Sequence, residues 1–114
     1  MSKNHAIKRA MQRFSLKLNE NDISKIIRAI QSQRSALISL ITKYRRIHAV
    51  NVNGVITYVV YSNNNKPIVR TFLSSGMAIK TSGLSSAEIE KRIKPIRDEG
   101  SMVRTNHYRL TQQR

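Results

Sequence analysis

The dipeptide Asn53-Gly54, set between "RRIHAVNV" and "VITYVVYS", constrains the fold of this chain more than any other feature. Asn and Gly both tolerate the positive φ that a two-residue type I′ turn demands, and the flanking Val, Ile, Tyr and Thr suit pleated strands. A two-residue loop dictates the register: Val52 faces Val55, Val50 faces Thr57, His48 faces Val59 and Arg46 faces Tyr61. Those eight side chains share one face of the hairpin. The other face carries Ile47, Ala49, Ile56, Tyr58 and Val60, interrupted by Asn51, and is the face expected to lie on helices.

Helical periodicity supplies those helices. Ile7, Ala10, Met11 and Phe14 recur at helical spacing within residues 3–15, so a first helix is expected to bury Ile7, Met11 and Phe14. "LNENDISKIIRAIQSQ" carries a start signal, with Asn19 or Asn21 as cap and acidic Glu20 and Asp22 in the first turn. Ile23, Ile26, Ile27 and Ile30 then form one stripe, predicting a helix over about 20–33. "RSALISLITKY" is apolar enough for a third helix or a buried strand, and is read as a helix end or connector running into a strand. After the "NNNKP" loop, "IVRTFL" (68–73) reads as a further strand with Pro67 at its start. The chain then turns rich in Gly and Ser. A loop with room for a short strand at 77–80 is expected, followed by a helix capped by Ser85 or Ser86 that Pro95 kinks or ends.

These elements predict an α+β fold. Two N-terminal helices pack on a small antiparallel sheet of three to four strands, making a core over 1–73. Residues 74–114 form a basic C-terminal helical appendage of loop, helix and tail.

At 114 residues the chain fits one domain, and the absence of cysteine excludes disulfides, thiolate metal sites and cysteine nucleophiles. "MSKNHAIKRAMQRF" has no apolar central region of the kind a signal peptide needs, and no apolar run approaches the ~20 residues of a membrane span. The expectation is a cytoplasmic protein with no membrane partner. Charge points to a different one. Twenty-one Lys and Arg stand against six Asp and Glu, a formal net charge of +15 and a sequence pI near 11.2. Confining that charge in a small domain costs self-repulsion, which a polyanion relieves while its counterions are released. Twelve of the cations are Arg, whose planar fork suits bidentate phosphate contacts.

His5, Arg9 and Arg13 stand four residues apart and so rise along one face of the first helix, at the rim of its apolar stripe. They read either as a solvated surface row or as half of a phosphate site. His5, His48 and His107 are far apart in sequence, so neither a metal site nor any other cofactor is expected. No glycine-rich phosphate loop, serine elbow or paired carboxylates are present. His, Arg, Lys, Tyr and Thr remain, a set able to cleave RNA without metal: a base for the 2′-hydroxyl, a cation for the phosphorane, an acid for the leaving oxygen. His48 reads as either a half-buried structural residue or a second acid–base group. Tyr44 and Tyr108, beside arginines, are candidates for stacking on bases.

"HAIKRAMQRF", "LNENDISKII", "RRIHAVNVNGVITYVVYS" and "IVRTFL", in that order over residues 4–73, resemble the small bacterial RNase-toxin superfamily that shares the barnase, EndoU, colicin-tRNase and RelE fold. The resemblance implies metal-independent cleavage of RNA by a toxin or a phage or mobile-element effector. It implies His5 as general acid or base, Arg9 or Arg13 on the scissile phosphate, and Arg45 or Arg46 steadying its charge. Thr71 on the last strand would contact that phosphate and Tyr61 would be an auxiliary hydroxyl. The catalytic set is then His5, Arg9, Arg46 and Thr71, with Arg13, Arg45, His48, Tyr61 and Arg70 binding the nucleic acid. Arg70 directly before Thr71 and the long tail depart from the superfamily's pattern. RNA ahead of DNA is the implied partner, and an acidic inhibitor or host protein is a further class. A non-catalytic basic module, binding nucleic acid or regulating a host nucleoprotein machine, stays open beside the enzyme.

Overall fold

The turn at Asn53-Gly54 forms as its chemistry requires, with φ of 56° and 89° at the two residues. The strands it joins pair in the expected register, from Val52 opposite Val55 to Arg46 opposite Tyr61. The computed structural model describes residues 2–105. Around the hairpin the order is α1 (Ser2–Phe14), α2 (Glu20–Gln31), β1 (Ala36–Leu40), β2 (Arg45–Val52), β3 (Val55–Asn64), β4 (Lys66–Leu73), α3 (Ser75–Ser82) and α4 (Ser86–Asp98). The strands make one antiparallel meander, β1-β2-β3-β4. No helix among the described residues is long and apolar enough to cross a membrane.

Both faces of the sheet are covered. Val50, Val52, Val59, Val69 and Phe72 point into one core with Ala6 and Ala10 of α1 and Ile23 and Ile26 of α2. Ile47, Ala49 and Tyr58 point into a second core with Ala78 of α3 and Ile89, Ile93 and Ile96 of α4. The Ile47–Ala49–Tyr58 face, expected on the N-terminal helices, thus receives the C-terminal ones. Both faces of the hairpin are apolar, so alternation alone cannot assign a helix to either. Residues 75–98 are a layer of the fold rather than an appendage. Each buried isoleucine of α4 contributes roughly 1.5–3 kcal/mol relative to exposure.

The helices differ in how closely they follow their sequence signals. Asn19 caps α2 in a reciprocal capping box: its Oδ1 accepts from the Asp22 backbone N–H at 2.9 Å, and the Asp22 carboxylate accepts from the Asn19 backbone N–H at 3.0 Å. In α1 the buried line is Ala6 and Ala10, with Ile7 and Phe14 half-buried and Met11 45% exposed. The expected burial of Met11 is corrected: two alanines let the helix lie close along β4 and turn Arg13 towards the sheet. Its Nη1 donates to the Phe72 carbonyl at 2.7 Å. "RSALISLITKY" resolves as β1, an edge strand with a register shift between Leu37 and Ser39.

Past Leu73, helix α3 replaces the expected loop and short strand. Ser74 caps it by accepting from the Met77 N–H, and Gly83 ends it at φ 74°. Ser85 caps α4, which runs through Pro95 to Asp98 instead of ending there, although Pro95 has no N–H to offer the Lys91 carbonyl one turn back. Asn51, the polar interruption of the second face, is the joint between the hairpin and the segment after α4. Its Nδ2 donates to the Gly100 carbonyl at 2.5 Å, its Oδ1 accepts from the Gly54 N–H, and its carbonyl accepts from Met102 and Val103.

Candidate nucleic-acid interface

Strand alternation decides what the open end of the hairpin presents. Arg45 and Arg46 are consecutive in β2, so they project to opposite faces of the sheet. Arg46 pairs with Tyr61 and shares its face with His48 on the α1–α2 side, while Arg45 pairs with Ser62 on the α3–α4 side. Between Asp22 and Glu88 the chain carries nine Lys and Arg and no acid, so the whole sheet and its loops are free of negative side chains.

On the first face, beyond the end of α2, lies a cleft of about 510 Å³ lined by Gln31, Gln33, Leu37, Arg46, Tyr61 and Asn63, with His48 in its wall. Lys43 and Tyr44 extend it towards the β1–β2 turn. His48 is only 8% exposed. Its Nδ1 lies 2.9 Å from the Ser35 hydroxyl, its ring meets the edge of Tyr61 at 5.8 Å and 88°, and its Nε2 is buried without a partner. Burial, and secondarily the positive charge of Arg46, lowers its pKa from 6.5 to about 4. The ring is therefore neutral at pH 7. Gln33 adopts the left-handed conformation (φ 63°) that ends α2, with Arg34 N–H donating to the Ala29 carbonyl and Gln33 N–H to the Ile30 carbonyl. This is a Schellman ending, where glycine is the usual occupant.

On the second face a cleft of about 400 Å³ is lined by Thr42, Tyr44, Arg45, Ser62, Ile68 and Arg70. A bulge shapes it. Tyr61 pairs with Val69 but Val60 pairs with Thr71, leaving Arg70 as the extra residue of β4. Thr71 thereby faces the Val60 side while Phe72 turns inward to α1.

The expected catalytic set is divided by this geometry. Arg46, His48 and Tyr61 meet in one cleft. Arg45 and Arg70 meet in the other, and Thr71 lies on that same face, opposite to Arg46. The α1 row lines neither cleft. His5 is exposed, Arg9 Nη1 donates to Gln12 on its own helix, and Arg13 is tied to the Phe72 carbonyl. His107 and Tyr108 lie outside the described residues. Sequence reasoning did not point to Ser35, Gln31, Gln33, Lys43 or Asn63; they sit at element ends whose position depends on where α2 stops and β1 starts. Among the described residues no group of three or more His, Cys, Asp or Glu is placed to hold a metal ion. No family model, curated protein or solved structure matches the chain.

Proposed function

We propose that this chain is an RNA-directed protein that holds a single strand at the open, acid-free end of its sheet, with the Arg46 cleft as the principal site. The observation that carries the reading is the meeting of Arg46, Tyr61 and the amides Gln31, Gln33 and Asn63 in one cleft with no carboxylate. Arginine neutralises phosphate, and side-chain amides can pair with the edges of unstacked bases. Tyr44, 44% exposed beside Lys43, offers a stacking surface at the mouth. RNA is favoured over DNA, and cytoplasmic work as a phage or mobile-element effector fits such a surface. An acidic inhibitor or host protein would compete for the same charge.

Fluorescence anisotropy with a labelled single-stranded RNA tests this. Binding is expected to weaken steeply between about 50 and about 200 mM salt, and Arg46→Gln is expected to lower the slope by about 0.7. Salt-insensitive binding, or an Arg46→Gln variant that binds as the parent does, refutes it.

A second reading, metal-independent endoribonuclease, is favoured by the neutral His48 joined to the Ser35 hydroxyl beneath Arg46. In that reading the 2′-hydroxyl proton passes to Ser35 Oγ as the Ser35 proton passes to His48 Nδ1. The 2′-oxygen bonds to phosphorus, Arg46 steadies the phosphorane, and the 5′-oxygen leaves with the proton of the Tyr61 hydroxyl as its bond to phosphorus breaks. Binding takes precedence because both imidazole nitrogens are out of a substrate's reach, Nδ1 engaged by Ser35 and Nε2 buried. Incubation with bulk RNA in EDTA separates the cases. Cleavage lost in Ser35→Ala and His48→Asn selects the enzyme. Cleavage lost in His5→Ala instead moves the chemistry to α1, and intact RNA leaves the binder.

A further inference from the structure

We infer that the cleft between Arg45 and Arg70, on the opposite face of the sheet, is a second phosphate subsite. A strand held in the Arg46 cleft continues over the β1–β2 turn into it. This rests on the RNA reading above and extends it from one cleft to a track that straddles the sheet.

Three observations carry it. First, Arg45 and Arg70 come from different strands yet line one cleft of about 400 Å³. Among the described residues neither guanidinium takes part in an ion pair, and Arg97 with Glu90 is the one such pair. Two unpaired arginines sharing a concavity repel each other, and a bound phosphate removes that cost. Second, the floor is built for an anion. Ser62 and Thr42 bring hydroxyls, Ile68 is the apolar member, and no acid lies anywhere from residue 23 to residue 87.

Third, the two clefts are joined. Tyr44 lines both the extension of the first cleft and the second, so it stands at the crest between them. The turn beneath it is held in shape: Thr42 Oγ1 accepts from the N–H groups of Tyr44 and Arg45, and the Tyr44 carbonyl accepts from the Asn63 N–H at 3.0 Å. The crest is therefore a fixed edge with a tyrosine on top, a basic residue on each side and Lys43 next to it. A base stacks on Tyr44 while the phosphates on either side of it reach Arg46 and Arg45.

The test compares a trinucleotide, which fills the first cleft alone, with a dodecanucleotide. Anisotropy is measured for the parent, for Arg45→Gln/Arg70→Gln, and for the charge-matched control Arg28→Gln/Lys80→Gln on exposed helix positions. The Arg45/Arg70 double variant is expected to lower the dodecanucleotide salt slope by about 1.4, two contacts at about 0.7 each, and to leave trinucleotide binding unchanged. The control is expected to move neither. If the double variant binds the dodecanucleotide with the parent's slope, or the control loses as much, the second subsite is refuted while the first cleft stands. If the parent binds neither RNA, both readings fall together. Arg45→Lys/Arg70→Lys guards against a folding artefact, since it keeps the charge and is expected to recover most of the slope.

Discussion

Acidification probes His48 most directly. In the folded chain the ring is buried, with Nδ1 taken by Ser35 and Nε2 unpartnered, and its pKa lies at about 4 instead of 6.5. Burial is the larger cause and Arg46 the smaller. Unfolding restores the ordinary value. Between those two values the unfolded chain binds a proton that the folded chain refuses, so stability falls as pH falls. The contribution is complete above about pH 6.5, declines through the window, and is gone below about pH 4. Its steepest slope is about 1.4 kcal/mol per pH unit, and across the whole window it amounts to roughly 3 kcal/mol.

Urea denaturation of the parent and of His48→Asn, from about pH 7.5 to about pH 4.5, isolates this term. The parent is expected to lose roughly 2–3 kcal/mol more than the variant over that range. Contributions from the rest of the chain are common to both proteins and cancel in the difference. Parallel pH profiles refute the reasoning. So does an NMR titration of the His48 ring with a midpoint near 6.5, because the cleft wall would then be wet and the ring ordinary.

Four substitutions test the packing of the fold. Gln33→Gly relieves a left-handed backbone that costs a side-chain-bearing residue about 1–2 kcal/mol, offset by glycine's freer unfolded state. A net gain of about 0.5–1 kcal/mol in urea is expected, and a loss refutes the strain. Asn51→Ala removes a buried side chain that bonds the Gly54 N–H and the Gly100 carbonyl in a part-buried joint, for an expected loss of about 1–3 kcal/mol. A loss below 1 kcal/mol on the order of surface effects overturns that role. Ala10→Leu forces α1 away from β4 and is expected to cost about 1–3 kcal/mol, whereas Met11→Leu on the exposed side stays within about 0.5 kcal/mol. Thermal melts of the two variants in parallel decide which residue faces the sheet.

Legibility in this chain follows the range of the interaction that decides each feature. The Asn53-Gly54 turn and the register of eight pairs are local, and the capping box of α2 spans four residues, so all were readable from the residues themselves. The rotation of α1 was not. Ala10 and Met11 both fit a helical stripe, and only the close approach of β4 selects the alanines. The assignment of helices to faces was hidden for a similar reason, since Val50, Val52 and Val59 are as apolar as Ile47, Ala49 and Tyr58.

Site geometry turned on parity. Arg45 and Arg46 must point apart once the hairpin register is known, and that much was written in the strand. For β4 the count is broken by a single extra residue. An unbroken alternation from Val69, which faces α1 and α2, would place Thr71 beside the Arg46 cleft and turn Phe72 away from the first core. The bulge at Arg70 reverses both: Phe72 reaches Phe14 at a ring distance of 6.4 Å, and Thr71 falls on the far face. Burying Phe72 against α1 therefore parts Thr71 from Arg46 and leaves Arg70 in the cleft with Arg45. A packing requirement in the core has split one expected phosphate site into two clefts, back to back across the sheet.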